Sequence, residues 1–170
     1  MEFRKSTKED LKEIMEIIKQ AQSYFKSQGI DQWQNNYPNE RVINNDILNG
    51  ESYVLVMDDK VVGTTVVSFK PEKTYESIVD GKWLTKGEYG VIHRIAIDNR
   101  YKGTGFAHKI IKYVEELCIS KDIKSIKVDT HEDNIVMQSL LNKNNFKYCG
   151  VVYLEDGGKR LAFEKNIILD

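Results

Sequence analysis

Apolar positions along this chain switch between helical and strand-like spacing. Leu11, Ile14, Met15, Ile18, Ala21 and Phe25 recur at helical intervals after Thr7-Lys8-Glu9-Asp10, an N-cap followed by an acidic first turn. They predict a first helix with one buried face, ending near Gly29. Residues 3–6 ahead of it read as a short strand, and residues 40–48 as a second helix stopped by Asn49-Gly50. The β-branched and aromatic runs 52–57 and 61–69 predict two strands joined by a turn at Asp58-Asp59-Lys60. Residues 71–86 form an irregular, charged connection to a strand over 88–97. A third helix places Phe106, Ile110, Val114 and Leu117 on one face. A strand over 123–129, a helix over 134–144 and a hairpin of 148–154 with 159–168 complete the chain. The order β-α-α-β-β-β-α-β-α-β-β predicts an α/β sandwich with a mixed sheet.

At 170 residues the chain suits a single domain over residues 1–170. Its 25 basic and 26 acidic residues argue against a general nucleic-acid binder. No apolar run approaches the ~20 residues needed to span a bilayer. Met1-Glu2-Phe3-Arg4-Lys5 lacks the apolar stretch of a signal peptide. Cys118 and Cys149 make no disulfide framework, and two buried free thiols are expected. These features together predict a cytoplasmic protein with no membrane or nucleic-acid partner. A homodimer is the default expectation for its assembly.

Residues 91–107 carry the most chemistry. An apolar strand ends at Asp98-Asn99, a basic loop follows, and Gly103-Thr104-Gly105 leads into the helix that opens with Phe106-Ala107. Glycines there let a ligand approach the backbone closely. The first helical amides lack internal partners and sit at the positive end of the dipole. Such a terminus accepts phosphate or pyrophosphate, and Arg100 and Lys102 add positive charge. A dinucleotide fingerprint needs a third glycine where His108 stands, and no Gly-Lys-Ser/Thr nucleotide loop is present.

The spacing Arg-x-x-Gly-x-Gly after an apolar strand resembles the acetyl-CoA pyrophosphate loop of the GNAT N-acetyltransferases. The predicted element order is also similar to that fold over almost the whole chain. The resemblance implies an acetyl-CoA-dependent transfer of an acetyl group directly to a primary amine, with no metal. It implies that Arg100, Lys102, Gly103, Thr104, Gly105, Phe106 and Ala107 hold the pyrophosphate. It further implies that the backbone of Ile95 and Ile97 pairs with the pantetheine arm as an added strand would, with the two side chains in the core. Asn134 stands where the family often has an Asn near the pantetheine; it also reads as a helix N-cap. His131, Glu132 and Asp133 match no zinc spacing and read as a solvated turn.

One position departs from the family pattern. Leu141 stands where many members have the tyrosine that protonates the leaving thiolate. Ser139, Tyr148, Cys149 or water could take that role. His93, two residues before Ile95, is the first candidate base. Glu88 and Glu132 are in reserve, and His108 reads as a surface residue. Arg94 reads as a structural ion-pair partner facing the opposite side from His93. In this fold the end of the first helix covers the acceptor, so Trp33 and Tyr37 are candidate acceptor-binding residues, while Phe25 is core. The missing tyrosine keeps open a second class, a GNAT-fold module that binds CoA as a sensor or partner. A transferase of longer acyl chains is a third reading.

Overall fold

The computed structural model describes residues 1–167. The predicted end of the final strand at Ile168 lies outside the described residues. Among those described, seven strands follow the order β1-β2-β3-β4-β5-β7-β6. They are β1 (Glu2–Lys5), β2 (Ser52–Met57), β3 (Lys60–Ser68), β4 (Gly90–Ile97), β5 (Ser125–Thr130), β6 (Lys147–Tyr153) and β7 (Lys159–Asn166). The helices are α1 (Leu11–Ser27), α2 (Glu40–Leu48), α3 (Phe106–Ser120) and α4 (Ile135–Lys143). The predicted order of elements holds, with short 3₁₀ turns added at Lys8–Asp10, Lys73–Ser77 and Asn99–Tyr101. The β4–β5 pair is parallel, while β1–β2, β2–β3, β5–β7 and β6–β7 are antiparallel, so the sheet is mixed.

Two compact units partition the chain. The first comprises residues 1–67 and 93–113. Its start is set by local chemistry. Thr7 and Asp10 form a reciprocal capping box, and the Asp10 carboxylate also takes two hydrogen bonds from Arg4, at 2.8 and 3.0 Å. The buried face of α1 is Ile14, Ile17, Ile18 and Phe25; with Ile43, Val54, Val61 and Ala96 the three isoleucines form the core of this unit. Leu11, Met15 and Ala21 are only partly buried against it. Asp58 and Asp59 close the β2–β3 hairpin with φ of 50° and 60°, the paired positive values of a two-residue turn. Asn39 caps α2 by accepting from Val42 N–H at 3.1 Å.

The second unit comprises residues 68–92 and those from 114 onward. Tyr75, Val91, Val152 and Ala162 form a core cluster, with Ile78, Trp83 and Tyr89 packed against it. The connection between β3 and β4 is irregular, as expected, but it is firmly tied down. Val79 bridges Val151 on β6, and Lys82 N–H donates to Cys149 O at 2.9 Å. This strap covers a sheet edge that would otherwise offer unpaired backbone groups. Glu164, fully buried, accepts from Leu84 N–H, Thr85 Oγ1 and Ser125 Oγ at 2.5, 2.5 and 2.7 Å. The Lys127 ammonium lies 4.3 Å from the Trp83 ring centroid and 4.0 Å from that of Tyr89. Both cysteines are buried and free, and burial pushes the Cys118 thiol up to about 12.

Candidate functional site

The loop after β4 takes the shape that its glycines require. Asp98 caps the 3₁₀ turn by accepting from Arg100 N–H at 2.9 Å, and Asp98 N–H donates to Val62 O. Asn99 N–H donates to the Gln20 side chain, which ties the loop to α1. Gly103 and Gly105 follow with φ of 77° and 84°, in the region that an L side chain rarely adopts. A Cβ placed on either would meet no atom within 4 Å. The space over both glycines is therefore open, and their backbone can be approached. Lys109 N–H donates to Gly105 O at 3.0 Å, closing the opening turn of α3. That first turn contains no acidic residue to offset the positive end of the helix. The open backbone and the uncompensated helix start leave this loop receptive to negative charge.

Its two cations are less available than their sequence positions suggest. Arg100 pairs with Asp98 through Nε and Nη2, both at 3.0 Å. The guanidinium's hydrogen bonds hold the Asp98 carboxyl below its usual range. The Lys102 ammonium lies 4.7 Å from the Tyr24 ring centroid. An open groove of about 650 Å³ runs beside this contact, bordered by Gln20, Ser23, Tyr24, Asn99 and Lys102.

The end of β4 departs from a regular strand. Arg94 has φ 49°, left-handed inside the strand, so side chains do not simply alternate there. The opposite-face argument for His93 and Arg94 is therefore corrected. Arg94 is an ion-pair partner, as expected: Nε and Nη2 reach Asp46 of α2 at 2.8 and 2.7 Å. Its Nη1 donates to the Tyr37 hydroxyl at 2.9 Å, a link that sequence reasoning missed. Burial works against the Arg94 charge, but Tyr37 and Asp46 more than offset it and raise the guanidinium pKa. Burial raises the Asp46 carboxyl, and the Arg94 hydrogen bonds act in the other direction. His93 is half-buried, and its carbonyl accepts from Thr65 Oγ1 at 3.2 Å. Ile95 and Ile97 are also half-buried, and Ile97 Cδ1 lies over Gly63 of β3 beside Ile110 Cδ1.

The loop between α1 and α2 supplies the aromatic candidates. Trp33 packs edge-on against buried Phe25, with centroids 5.6 Å apart at 83°, and rests on the core cluster. Much of its ring is thus packing surface. Tyr37 is 43% exposed. Gln22 Nε2 holds the carbonyls of Tyr37 and Pro38 at 2.9 and 3.1 Å. His93, Arg94, Tyr37 and the glycine loop all belong to the first unit.

In the second unit Asn134 is buried and caps α4, its side chain accepting from Met137 N–H at 3.1 Å. One side-chain oxygen is thus committed to the cap. Leu141 is fully buried. Cys149 is buried, its thiol pushed up chiefly by burial, whereas Tyr148 is 53% exposed. Glu88 is exposed, and Glu132 pairs with Lys159 at 3.0 Å, which lowers its carboxyl pKa. His131 accepts from Asp133 N–H in a turn. His108 is exposed on α3. Among the described residues no helix is long and apolar enough to cross a membrane.

The acetyltransferase (GNAT) family matches residues 11–146 of this chain. A GNAT-family acetyltransferase of Streptococcus agalactiae 2603 is similar at 34% identity and TM-score 0.89, covering 99% of this chain and 96% of its own. At 17% identity the PaiA N-acetyltransferase of Thermoplasma acidophilum, solved in complex with coenzyme A, has the same fold; the TM-score is 0.70, with 97% and 98% of the two chains covered. The ribosomal-protein-S18-alanine N-acetyltransferase of Escherichia coli shares the fold at 12% identity and TM-score 0.66, covering 99% of this chain and 95% of its own. No curated protein matches the sequence. The β4–glycine loop–α3 arrangement and these similarities agree, and the chain belongs to the GNAT acetyltransferase family.

Proposed function

We propose that this protein is an acetyl-CoA-dependent N-acetyltransferase acting by direct transfer to a primary amine, as one cytoplasmic domain over residues 1–170. The observation that carries the reading is the open glycine turn at the start of α3, directly after β4. The amides of Gly103 and of Gly105 to Ala107 take the pyrophosphate, with Arg100 and Lys102 at the rim; that of Thr104 already donates to Tyr101 O. The backbone of Ile95 and Ile97 holds the pantetheine arm as an added strand would. Acetyl-CoA supplies the acetyl group as a thioester. His93 removes a proton from the acceptor ammonium, directly or through water, so that the neutral amine attacks the carbonyl. A backbone N–H near Ile97 stabilises the oxyanion. It is not that of Asp98, which already donates to Val62 O. Thiolate is a fairly stable leaving group near neutral pH, so Leu141 can replace the family tyrosine without a dedicated acid. Trp33 and Tyr37 line the acceptor side.

The test mixes the protein and acetyl-CoA with 2-phenylethylamine, spermidine and an alanyl peptide, and measures free thiol. The alanyl peptide is included because two fold relatives are ribosomal-protein-alanine N-acetyltransferases. Amine-dependent thiol release supports the reading. Tight CoA binding with no release for any amine replaces it with a CoA-binding sensor module. Faster release with longer acyl-CoA donors would replace acetyl by another acyl group.

A further inference from the structure

We propose that Arg94 is a positioning residue for the acceptor: from its left-handed position within β4 it fixes the Tyr37 hydroxyl and the loop that carries it. The proposal rests on the N-acetyltransferase reading above. Arg94 occupies a left-handed backbone position next to His93. Such conformations persist only where the surroundings over-determine them. Here the surroundings are a fork. Nε and Nη2 are spent on Asp46 at 2.8 and 2.7 Å, leaving Nη1 to reach Tyr37 at 2.9 Å. Arg94 and Asp46 side chains are 15% and 11% exposed, so the ion-pair arm of the fork is shielded from water, while the Tyr37 arm opens to solvent.

The fork has two chemical consequences. The Tyr37 oxygen accepts from Arg94, so its own proton is left to donate in a fixed direction. A half-exposed phenol held this way offers a hydrogen bond to an acceptor carbonyl or hydroxyl. Asp46 also balances the Arg94 charge, so an approaching ammonium does not meet an uncompensated cation. Gln22 holds the backbone of the same loop at Tyr37 and Pro38, so Arg94 supplies the side-chain half of the anchorage. Lysine could not reproduce it, because a point ammonium lacks the planar fork.

The variants Tyr37→Phe, Arg94→Lys and Asp46→Asn, each verified as folded by circular dichroism, test this. The readouts are KM for each of the three amines that the parent acetylates, acetyl-CoA Kd by calorimetry, and amide exchange over residues 31–39. Tyr37→Phe, the mildest change, should raise amine KM about tenfold, the loss of one directed hydrogen bond. It should speed exchange over 31–39 and leave acetyl-CoA Kd unchanged. Arg94→Lys should do the same, and Asp46→Asn should raise KM most for spermidine. An unchanged amine KM in Tyr37→Phe and Arg94→Lys overturns the proposal, even if exchange rises. If the parent acetylates none of the amines, the N-acetyltransferase reading fails by itself. Exchange then decides alone whether Arg94 orders the Tyr37 loop, and unchanged exchange refutes it.

Discussion

Arg100 is held by Asp98, two residues earlier, through paired contacts of 3.0 Å from Nε and Nη2. One of the loop's two cations is therefore already compensated, and its capacity for an anion leans on backbone amides. Gly103 and Gly105 present those amides under open space and adopt φ values unsuited to side chains. Gly105→Val should thus weaken CoA binding by roughly tenfold or more, about 1.4 kcal/mol per factor of ten. Calorimetry on the folded variant checks this. An unchanged affinity would remove the pyrophosphate-loop assignment.

Leu141 is fully buried in α4. It should behave as a packing residue. Leu141→Ala should cost roughly 2–5 kcal/mol, the usual range for such a cavity. Chemical denaturation measures it. Full stability with abolished turnover would contradict the packing role.

His93 should be needed for turnover near neutral pH, because the acceptor amine must lose a proton before it attacks. His93→Ala should retain CoA affinity and lose turnover near pH 7 by ~10²–10⁴-fold, the range of general-base catalysis. Activity should partly return at high pH, where the amine loses its proton unaided. A variant as fast as the parent near pH 7 would make His93 structural. Glu132 is then the weaker substitute, since Lys159 already lowers its basicity.

Asp10 should make the fold sensitive to acid. Hydrogen bonds from Arg4 are the largest influence on its carboxyl and hold it below its ordinary value, against the effect of burial. A depressed folded-state pKa stabilises fully above the unfolded value of about 3.9 and ceases to do so as pH falls through the folded value. Asp10→Asn should therefore cost about 0.5–1.5 kcal/mol at neutral pH, the worth of a hydrogen bond. That difference should shrink toward zero well below pH 3.9 or so. Thermal melts of both proteins across that range decide it. A constant difference would assign the effect to shape rather than charge.

The sequence by itself determined the elements and the loop. The 3.6-residue spacing in α1, the β-branched runs of β2 and β3 and the Asn-Gly stop after α2 are local signals, and the elements they predicted lie within a residue or so of those observed. Gly103 and Gly105 were legible for the same reason: a left-handed turn at a helix start selects glycine whatever surrounds it. Ile17 was not picked out, although it lies on the buried face of α1 beside Ile14 and Ile18. Tertiary structure alone decided how distant residues meet. It placed β7 between β5 and β6, because the hairpin could have presented either strand to β5. It set Arg94 left-handed within β4, left Ile95 and Ile97 half-buried, and directed one guanidinium to Asp46, 48 residues earlier, and to Tyr37, 57 residues earlier. No periodicity records such pairings, since a hydrogen bond across the fold depends on where the chain returns and not on the spacing of neighbours.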